Sequence, residues 1–248
     1  MKFYDNFIGY EPQLCNEIFS GSDSEELFNR SLTTKDNDWY YRTHPISYIR
    51  NSTGHRSKEL YDLDLNNYIL FTGCSLTEGI GLELEKTYSY IASKNLNCDY
   101  YNLGLAGTGS DVISYNLVQW HNIVKTSPKA VVIQWPWSGR YSIINKDKDM
   151  DHLTSIGPWS AKNSPEISRF LTYGELSSVS YFTSKKAIAQ RLIKSLFTCP
   201  VIEIDMDTID KYGIDFDEMS RDGVHPGIDF HMCTAKIIEN KINNAIQQ

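Results

Sequence analysis

Ser75 is the residue in this chain whose surroundings best suit a nucleophile. It follows a short apolar run, Tyr68–Thr72, and the glycine that breaks this run, Gly73; Gly79 comes four residues later. A serine on a sharp turn between a strand and a helix holds its hydroxyl above the edge of a sheet. The backbone N–H groups that follow such a turn face the anion that forms there. The pattern therefore predicts nucleophilic chemistry at Ser75.

Asp222 and His225 form a second constellation, in the loop segment RDGVHPG. Because the two residues are three apart in a turn, the Asp222 carboxylate can bond one nitrogen of the His225 imidazole while the other nitrogen faces outward. That arrangement is the orienting and basic half of a serine triad. The same segment is also typical of a surface turn in which Asp222 caps the backbone. Together with Ser75 at a strand end, the pair predicts a Ser–His–Asp triad.

The elements that must position these residues alternate along the chain. Four apolar segments are predicted as strands: Tyr68–Thr72, Asp99–Leu103, Ala130–Trp135 and Val201–Asp205. Strands that alternate with helices predict an α/β fold, a three-layer αβα sandwich around a central parallel sheet. Sites in such sheets lie beyond the carboxyl ends of the strands. Ser75, the Gly104–Gly109 loop and the segment after Trp135 all occupy such positions.

Helices are predicted between these strands from apolar residues that recur at helical spacing. One opens at Ser110 or Asp111, another at Ser184, and the last runs from about Asp229 to Ile246. Their predicted buried faces are Ile113, Leu117, Trp120 and Val124; Ile188, Leu192 and Leu196; and Ala235, Ile238, Ile242 and Ile246. Residues 138–182 have no clear period and are predicted as a long excursion with short helices.

Residues 1–66 differ in character from the rest of the chain. They are polar and aromatic with poor periodicity, and include Trp39, Tyr40, Tyr41, Tyr48 and Tyr61. We predict an N-terminal extension over residues 1–66 that packs through its aromatic side chains on a main domain, residues 67–248. A partly ordered arm is the alternative.

Composition limits the classes of partner and cofactor. The chain has 248 residues and a net charge of −7, which argues against nucleic acid or an anionic membrane as the main partner. No apolar stretch approaches the ~20 residues of a membrane span, and the first residues lack the apolar core of a signal peptide. The five cysteines are scattered without a CxxC pair. We therefore expect no zinc site or disulfide framework, and synthesis in a reducing, cytoplasmic compartment.

Three segments in this order resemble the SGNH hydrolases, also called GDSL-type esterases. GCSLTEG is similar to the first block of that family, NLGLAGTG to the second and RDGVHPG to the last, and the resemblance runs from about Arg50 to the end of the chain. It implies the flavodoxin-like SGNH hydrolase fold and ester hydrolysis through an acyl-enzyme, with Ser75, Asp222 and His225 as the triad. It implies an oxyanion hole built from the N–H groups of Ser75 and Gly107, and neither a metal nor an organic cofactor.

The sequence departs from the family pattern at two places. Cys74 stands where the family has the Asp before its nucleophile. The third block of the family supplies an Asn side chain to the oxyanion hole, but here the segment reads QWPWSGR, similar to that of viral members. Ser138 lies nearest to the expected position, and Gln134 or Arg140 could substitute as donors. Loss of one oxyanion donor can cost ~2.7–4 kcal/mol of transition-state stabilisation.

Other interpretations of the same residues remain open. A phosphate-binding loop would want a Lys where Glu78 stands, and the glycines of GLAGTG are not in the order of a dinucleotide-binding loop. Cys74 could be the nucleophile in place of Ser75 if the turn pointed its thiol at His225. The remaining histidines could form a metal cluster only if the fold gathered them: His44, His55, His121, His152 and His231.

Aromatic residues after the third predicted strand suggest the kind of substrate. Gln134, Trp135, Trp137 and Arg140, with Trp159 further on, mix aromatic faces with small polar groups. Such a mixture suits a polar ring-shaped ligand, and no amphipathic stretch favours a lipid interface. We therefore expect a short acyl ester, acetyl above all, on a carbohydrate or similar polyol, with no nucleic-acid or membrane partner. A non-catalytic binding or structural protein and a transacylase are the alternatives.

Overall fold

The computed structural model describes residues 1–4, 6–147, 150–162, 165–214 and 218–247. In these residues the strands are β1 (Lys2–Tyr4), β2 (Phe7–Gly9), β3 (Gln13–Glu17), β4 (Tyr48–Arg50), β5 (Tyr68–Thr72), β6 (Asp99–Asn102), β7 (Ala130–Trp135), β8 (Tyr141–Asp147), β9 (Met150–Ile156) and β10 (Val201–Asp205). The α-helices are α1 (Glu25–Thr34), α2 (Ser75–Glu78), α3 (Tyr88–Asn95), α4 (Ser110–Ile123), α5 (Pro165–Leu196) and α6 (Ile228–Ile246). Short 3₁₀ helices span Tyr40–Arg42, Leu60–Asp62, Leu84–Lys86, Pro158–Lys162 and Met206–Tyr212.

Four parallel strands form the central sheet, in the order β10–β7–β5–β6. These are the four strands predicted from the sequence, with β6 ending one residue earlier, at Asn102. Every residue of β5 and β7 is buried, as expected for central strands covered on both faces. The predicted α/β fold with a parallel sheet is therefore confirmed.

Helices cover both faces of this sheet, so the fold has three layers. Alternate side chains of the strands point to opposite faces. Ile69, Phe71 and Val132 pack with α3 and α6 on one face. Leu70, Val131 and Ile133 pack with α4 and α5 on the other. The carboxyl ends of β5, β6 and β7 meet at one edge, and the loops that leave this edge carry the candidate site.

The N-terminal 66 residues are tied to the rest of the chain through buried polar contacts. The backbone of Ile8 exchanges two 2.9 Å hydrogen bonds with the side chain of Asn116 in α4. The guanidinium of Arg50 lies 2.8 Å from the carboxylate of Glu78, and both side chains are buried. Because buried charges need partners, these contacts hold the segment against the loops at the carboxyl edge of the sheet.

The segment after β7 differs from the prediction. Residues 138–182 do not form a set of short helices: β8 and β9 form an antiparallel hairpin, a 3₁₀ helix follows, and α5 runs for 32 residues. The hairpin alternates apolar and polar residues, as in Ser142–Ile143 and Leu153–Ser155, but short alternating runs are a weak signal beside helical spacing.

Two predicted helix faces also need correction. Ile188 is 68% exposed and Leu192 41% exposed, whereas Ala189 and Ile193 are buried against the sheet. The two stripes are neighbours at the same spacing, so periodicity alone could not choose between them. Ile246 at the end of α6 is likewise exposed. In addition, Gly109 occupies the N-cap position of α4, where Ser110 or Asp111 was expected.

No helix in the described ranges is both long enough and apolar enough to cross a membrane.

Candidate active site

The predicted nucleophile sits on a crowded turn between β5 and α2. Gly73 leaves the strand, Cys74 precedes the helix and Ser75 is its first residue. A Cβ added at Gly73 would lie 2.0 Å from Thr77 Oγ1 and 2.9 Å from Gln134 Cβ. Only glycine fits there, because real Cβ atoms do not approach other atoms so closely. The turn therefore places Ser75 at the carboxyl edge of the sheet.

Ser75, His225 and Asp222 form a continuous hydrogen-bonded chain. Ser75 Oγ lies 2.8 Å from His225 Nε2, and His225 Nδ1 lies 2.6 Å from Asp222 Oδ2. Ser75 and Asp222 are buried, and His225 is half-buried. The tertiary structure thus brings together the three residues whose types predicted a triad, with each imidazole nitrogen facing the partner that a triad requires.

The Asp222 carboxylate is held from several sides. Oδ1 accepts hydrogen bonds from the Ser220 hydroxyl at 2.8 Å and from the backbone N–H groups of Val224 and His225 at 2.9 and 3.0 Å. Oδ2 accepts a 2.8 Å bond from the hydroxyl of Ser22, in the N-terminal segment. Burial raises the pKa of this carboxyl, but the bonds from His225 and the backbone outweigh burial and hold its pKa well below the usual range. Asp222 is therefore an anion facing the imidazole.

A buried ion pair fixes the loop that carries Asp222 and His225. The Arg221 guanidinium bonds the Asp23 carboxylate at 2.7 Å, and both side chains are almost fully buried. It also lies over the rings of Phe19 and Phe28, 4.8 and 5.4 Å from their centroids. Asp23 and both rings belong to residues 1–66, so the N-terminal segment helps to build the site.

Two backbone N–H groups near Ser75 are available for an oxyanion. Within the described residues, the N–H groups of Ser75 and Gly107 have no acceptor. Gly107 has a φ of 77°, a conformation that favours glycine, and it lines the same cavity as Ser75. The Asn102 carboxamide accepts from Gly104 N at 2.8 Å and donates to Thr77 O at 2.7 Å, which joins the Gly107 loop to the Ser75 turn.

The predicted donor Ser138 is not at this cavity. Its backbone N–H and its hydroxyl both bond the Asp207 carboxylate, at 3.0 and 2.6 Å, and it lines a separate, smaller cavity. The expectation that Ser138 donates to the oxyanion is therefore wrong, because both of its donors are already engaged.

Gln134 and Trp135 are likewise not placed to touch a substrate. The Gln134 side chain is buried beneath the turn, where its Oε1 lies 3.1 Å from Cys74 Sγ and its Nε2 donates to Trp135 O at 3.0 Å. Trp135 is fully buried and donates through Nε1 to Glu203 at 2.9 Å. Strand β7 ends inside the core, so side chains on its last residues pack rather than face the cavity.

Trp137 and Arg140 do line the Ser75 cavity, as expected. The cavity has a volume of about 600 Å³ and is walled by residues from several separate stretches of the chain, including Tyr10, Ser22, Trp137, Arg140, Ser155 and Trp159. Trp137 and Trp159 are 41% and 43% exposed. The Arg140 guanidinium lies 5.1 Å from the centre of the Trp159 ring. The size is that of a small-molecule site.

Among the described side chains, Cys74 and the other histidines do not form a competing site. The Cys74 thiol is fully buried and faces Gln134, whereas the serine hydroxyl faces His225. His55 and His231 are buried in separate packed regions, and the side chain of His152 lies outside the described side chains. Across the described ranges, no group of three or more His, Cys, Asp or Glu residues could hold a metal ion.

The sequence missed Ser22, Tyr10 and Ser155, which line the cavity with Ser75. The first two lie in the polar N-terminal segment and Ser155 in the unassigned excursion. Their local patterns carry no signal for a site, because isolated Ser and Tyr residues are common on surfaces. Only the folded chain places them beside the triad.

Comparison with known proteins shows similarity of fold. No family model and no curated protein matches the chain. Similar solved structures include a carbohydrate esterase family 2 enzyme with a carbohydrate-binding domain from Corynascus thermopiles (Myceliophthora fergusii), at 13% identity, 82% of this chain, 73% of that chain and a TM-score of 0.42. Another is the psychrotrophic esterase EstA from Pseudoalteromonas sp., with 13% identity over 73% of this chain and 97% of that chain and a TM-score of 0.38. A third is a G-D-S-L family lipolytic protein from Veillonella parvula, with 13% identity over 73% of this chain and 98% of that chain and a TM-score of 0.34.

Proposed function

We propose that this chain is a serine ester hydrolase that removes a short acyl group, acetyl above all, from a carbohydrate or similar polyol. The observation that carries the proposal is the hydrogen-bonded chain from Ser75 Oγ through the His225 imidazole to the Asp222 carboxylate, at 2.8 and 2.6 Å. A serine next to a correctly oriented imidazole is an activated nucleophile.

In the acylation step, Ser75 Oγ attacks the ester carbonyl carbon while His225 Nε2 takes its proton. The Asp222 carboxylate stabilises the imidazolium that forms. The N–H groups of Ser75 and Gly107 donate to the oxyanion of the tetrahedral intermediate. His225 then gives the proton to the leaving alcohol oxygen as the C–O bond breaks, which leaves an acyl-serine.

In the deacylation step, His225 takes a proton from water, which attacks the acyl-serine carbonyl. The second tetrahedral intermediate uses the same N–H donors. When it collapses, the Ser75 Cβ–Oγ side chain leaves as an alkoxide that regains its proton from His225, and the carboxylic acid is released. No step requires a metal or an organic cofactor.

The walls of the cavity support a polar, ring-shaped alcohol. Trp137 and Trp159 offer partly exposed aromatic faces, and Arg140 supplies hydrogen-bond donors beside them. Aromatic area with a few placed polar groups is typical of small-ligand sites. The cavity lining also includes a small apolar part suited to a short acyl chain rather than a lipid, made by Ala106, Val224 and Pro226.

A fluorophosphonate probe tests the chemistry. We expect it to label Ser75, located by peptide mass mapping, and to leave Ser75→Ala unlabelled. Cys74→Ala should be labelled like the wild type, since the thiol faces away from His225. Labelling at another serine, or none on folded protein, would favour a non-catalytic binding protein with this fold.

A substrate series tests the acyl group and the alcohol. We expect p-nitrophenyl esters of two to four carbons, and acetylated sugars, to be the best substrates. Trp137→Ala and Trp159→Ala should raise KM for acetylated sugars more than for p-nitrophenyl acetate. A preference for acyl chains of eight carbons or more would contradict the short-acyl assignment. Transfer of the acyl group to an added alcohol faster than to water would indicate a transacylase.

A further inference from the structure

The Ser155 hydroxyl is a buried donor without a partner beside the proposed oxyanion hole. Its Oγ is shielded from solvent, and no hydrogen-bond partner for it exists within the described residues. Ser155 lines the cavity that contains Ser75, Gly107 and His225. Buried side-chain polar groups are hydrogen-bonded in the large majority of cases, so this hydroxyl is free to donate to a group bound in the cavity.

Ser155 lies close to the glycine loop that carries Gly107. A Cβ built on Gly107 would lie 3.4 Å from Ser155 Cβ and 3.8 Å from Ser155 Oγ. These are ordinary van der Waals distances, so the hydroxyl lies against the residue whose N–H is a proposed oxyanion donor. Ser155 and Gly107 therefore line the same cavity as close neighbours.

The β8–β9 hairpin holds Ser155 in this place. Ser155 pairs across the hairpin with Ser142, whose N–H and hydroxyl donate to the Asp111 carboxylate at 3.2 and 3.3 Å. Asp111 lies in the first turn of α4, directly after the glycine loop, and is also paired with Lys185 in α5 at 3.0 Å. The hairpin is thus anchored to the same helix that the Gly107 loop begins.

From these contacts we infer that Ser155 is a further catalytic residue, the third donor of the oxyanion hole. The inference rests on the proposed ester hydrolysis. The Ser155 O–H donates to the oxyanion of the tetrahedral intermediate, beside the N–H groups of Ser75 and Gly107, and no proton is transferred. It takes the role that the sequence first suggested for Ser138, whose two donors are bound to Asp207.

The test compares Ser155→Ala with wild type on p-nitrophenyl acetate. Removal of one oxyanion donor typically lowers kcat by about 10²–10³-fold, so we expect a fall of about 100-fold with KM within about threefold. Affinity for a short alkyl boronic acid, which forms a tetrahedral adduct with an active-site serine, should fall in parallel. Ser155→Thr keeps the hydroxyl, so its kcat should be close to that of wild type.

Ser142→Ala is the matched control for placement of the hairpin. The variant keeps the bond from the Ser142 backbone N–H to Asp111 and loses only the hydroxyl bond, so the hairpin should stay in place and kcat within about threefold of wild type. The role of Ser155 would be overturned if kcat for Ser155→Ala stayed within threefold of wild type, or if Ser142→Ala lost as much rate as Ser155→Ala. In either case the hydrolase proposal would stand, provided that the wild type turns over the ester and the probe labels Ser75. Absence of both in the wild type would remove the hydrolase proposal and this inference together.

Discussion

The Tyr10 hydroxyl donates a 2.7 Å hydrogen bond to the carbonyl oxygen of Ala106. That carbonyl belongs to the peptide group whose N–H is the Gly107 donor. In a trans peptide the C=O and N–H point in opposite directions, and no described peptide bond is cis. Tyr10 therefore sets the direction of the Gly107 N–H. The N–H of Ala106 is bound in turn by Glu78 at 2.7 Å, so the loop is held on both sides.

Burial raises the pKa of Tyr10 well above its ordinary value, with a contribution from Glu78, so the hydroxyl remains a donor across the working pH range. We expect Tyr10→Phe to lower kcat about two- to tenfold with little change in KM, because a hydrogen bond of this kind is worth about 0.5–1.5 kcal/mol. Esterase kinetics on p-nitrophenyl acetate measure this.

Tyr115→Phe is the control for the Tyr10 variant. Tyr115 packs in the same cluster as Tyr10, but it does not line the Ser75 cavity. Its kcat should match wild type. Equal kcat values for Tyr10→Phe and wild type would show that the Gly107 peptide keeps its direction without the hydroxyl.

The Ser22 hydroxyl should increase kcat by orienting the Asp222 carboxylate. Its hydroxyl bonds the same Oδ2 atom that accepts from His225 Nδ1. Without that bond the carboxylate is less firmly oriented, and one net hydrogen bond is worth about 0.5–1.5 kcal/mol. We expect Ser22→Ala to lower kcat about two- to tenfold while the melting temperature stays close to that of wild type. Ser195→Ala, on the exposed side of α5, should change neither. An unaltered kcat in Ser22→Ala would count against a contribution of the N-terminal segment to the triad.

The Asp23–Arg221 pair should be essential for stability. Asp23 accepts from Arg221 and, at 2.6 Å, from the Tyr48 hydroxyl, and all three side chains are buried. Removing one partner of a buried pair leaves an uncompensated charge and typically costs about 3–5 kcal/mol. Asp23→Ala should lower the free energy of unfolding in urea by about that amount, whereas Asp38→Ala at an exposed position should lower it by less than about 0.5 kcal/mol. A loss below 1 kcal/mol in Asp23→Ala would mean that the pair is dispensable.

Two buried histidines should make the protein less stable in mild acid. Burial lowers the pKa of His231 to about 3, and burial with the nearby Arg50 lowers the pKa of His55 to about 3. In the unfolded chain both protonate near ~6.5. As the pH falls from 7 towards 3, the unfolded state therefore binds protons that the folded state excludes, and stability is lost.

Between pH 7 and pH 5, this linkage amounts to about 2 kcal/mol for each histidine. Urea unfolding of wild type and His231→Gln at the two pH values measures it. The variant should be less stable at pH 7, because His231 Nδ1 accepts from Tyr88 N at 3.1 Å, but it should lose less stability on going to pH 5. His121→Gln, at an exposed position, should follow wild type. The same pH dependence in wild type and His231→Gln would contradict the neutral, buried state of His231.

The identity of the central strands and of the Ser75, Asp222 and His225 set could be predicted from the sequence because each depends on local chemistry. An apolar run ending in glycine predicts a buried strand and a tight turn, and a carboxylate three residues from an imidazole can meet it within one loop. Parallel topology then brings the loops of separate strands to one edge. Spacing within one loop predicted the contact between Asp222 and His225, whereas the contact of His225 with Ser75 was predicted from the strand-end position of the serine together with the resemblance of the motifs.

Only the tertiary structure decided which other groups surround the triad. Ser22 contacts Asp222 of the triad across a separation of 200 residues, and Tyr10 contacts Ala106 in the glycine loop across 96 residues. Ser138 was near the expected donor position in sequence, yet Asp207 takes both of its donors, while Ser155 faces Gly107 from a hairpin. Such contacts depend on how loops fold over one another, and a linear pattern encodes neither the competing acceptor nor the side from which a hydroxyl arrives.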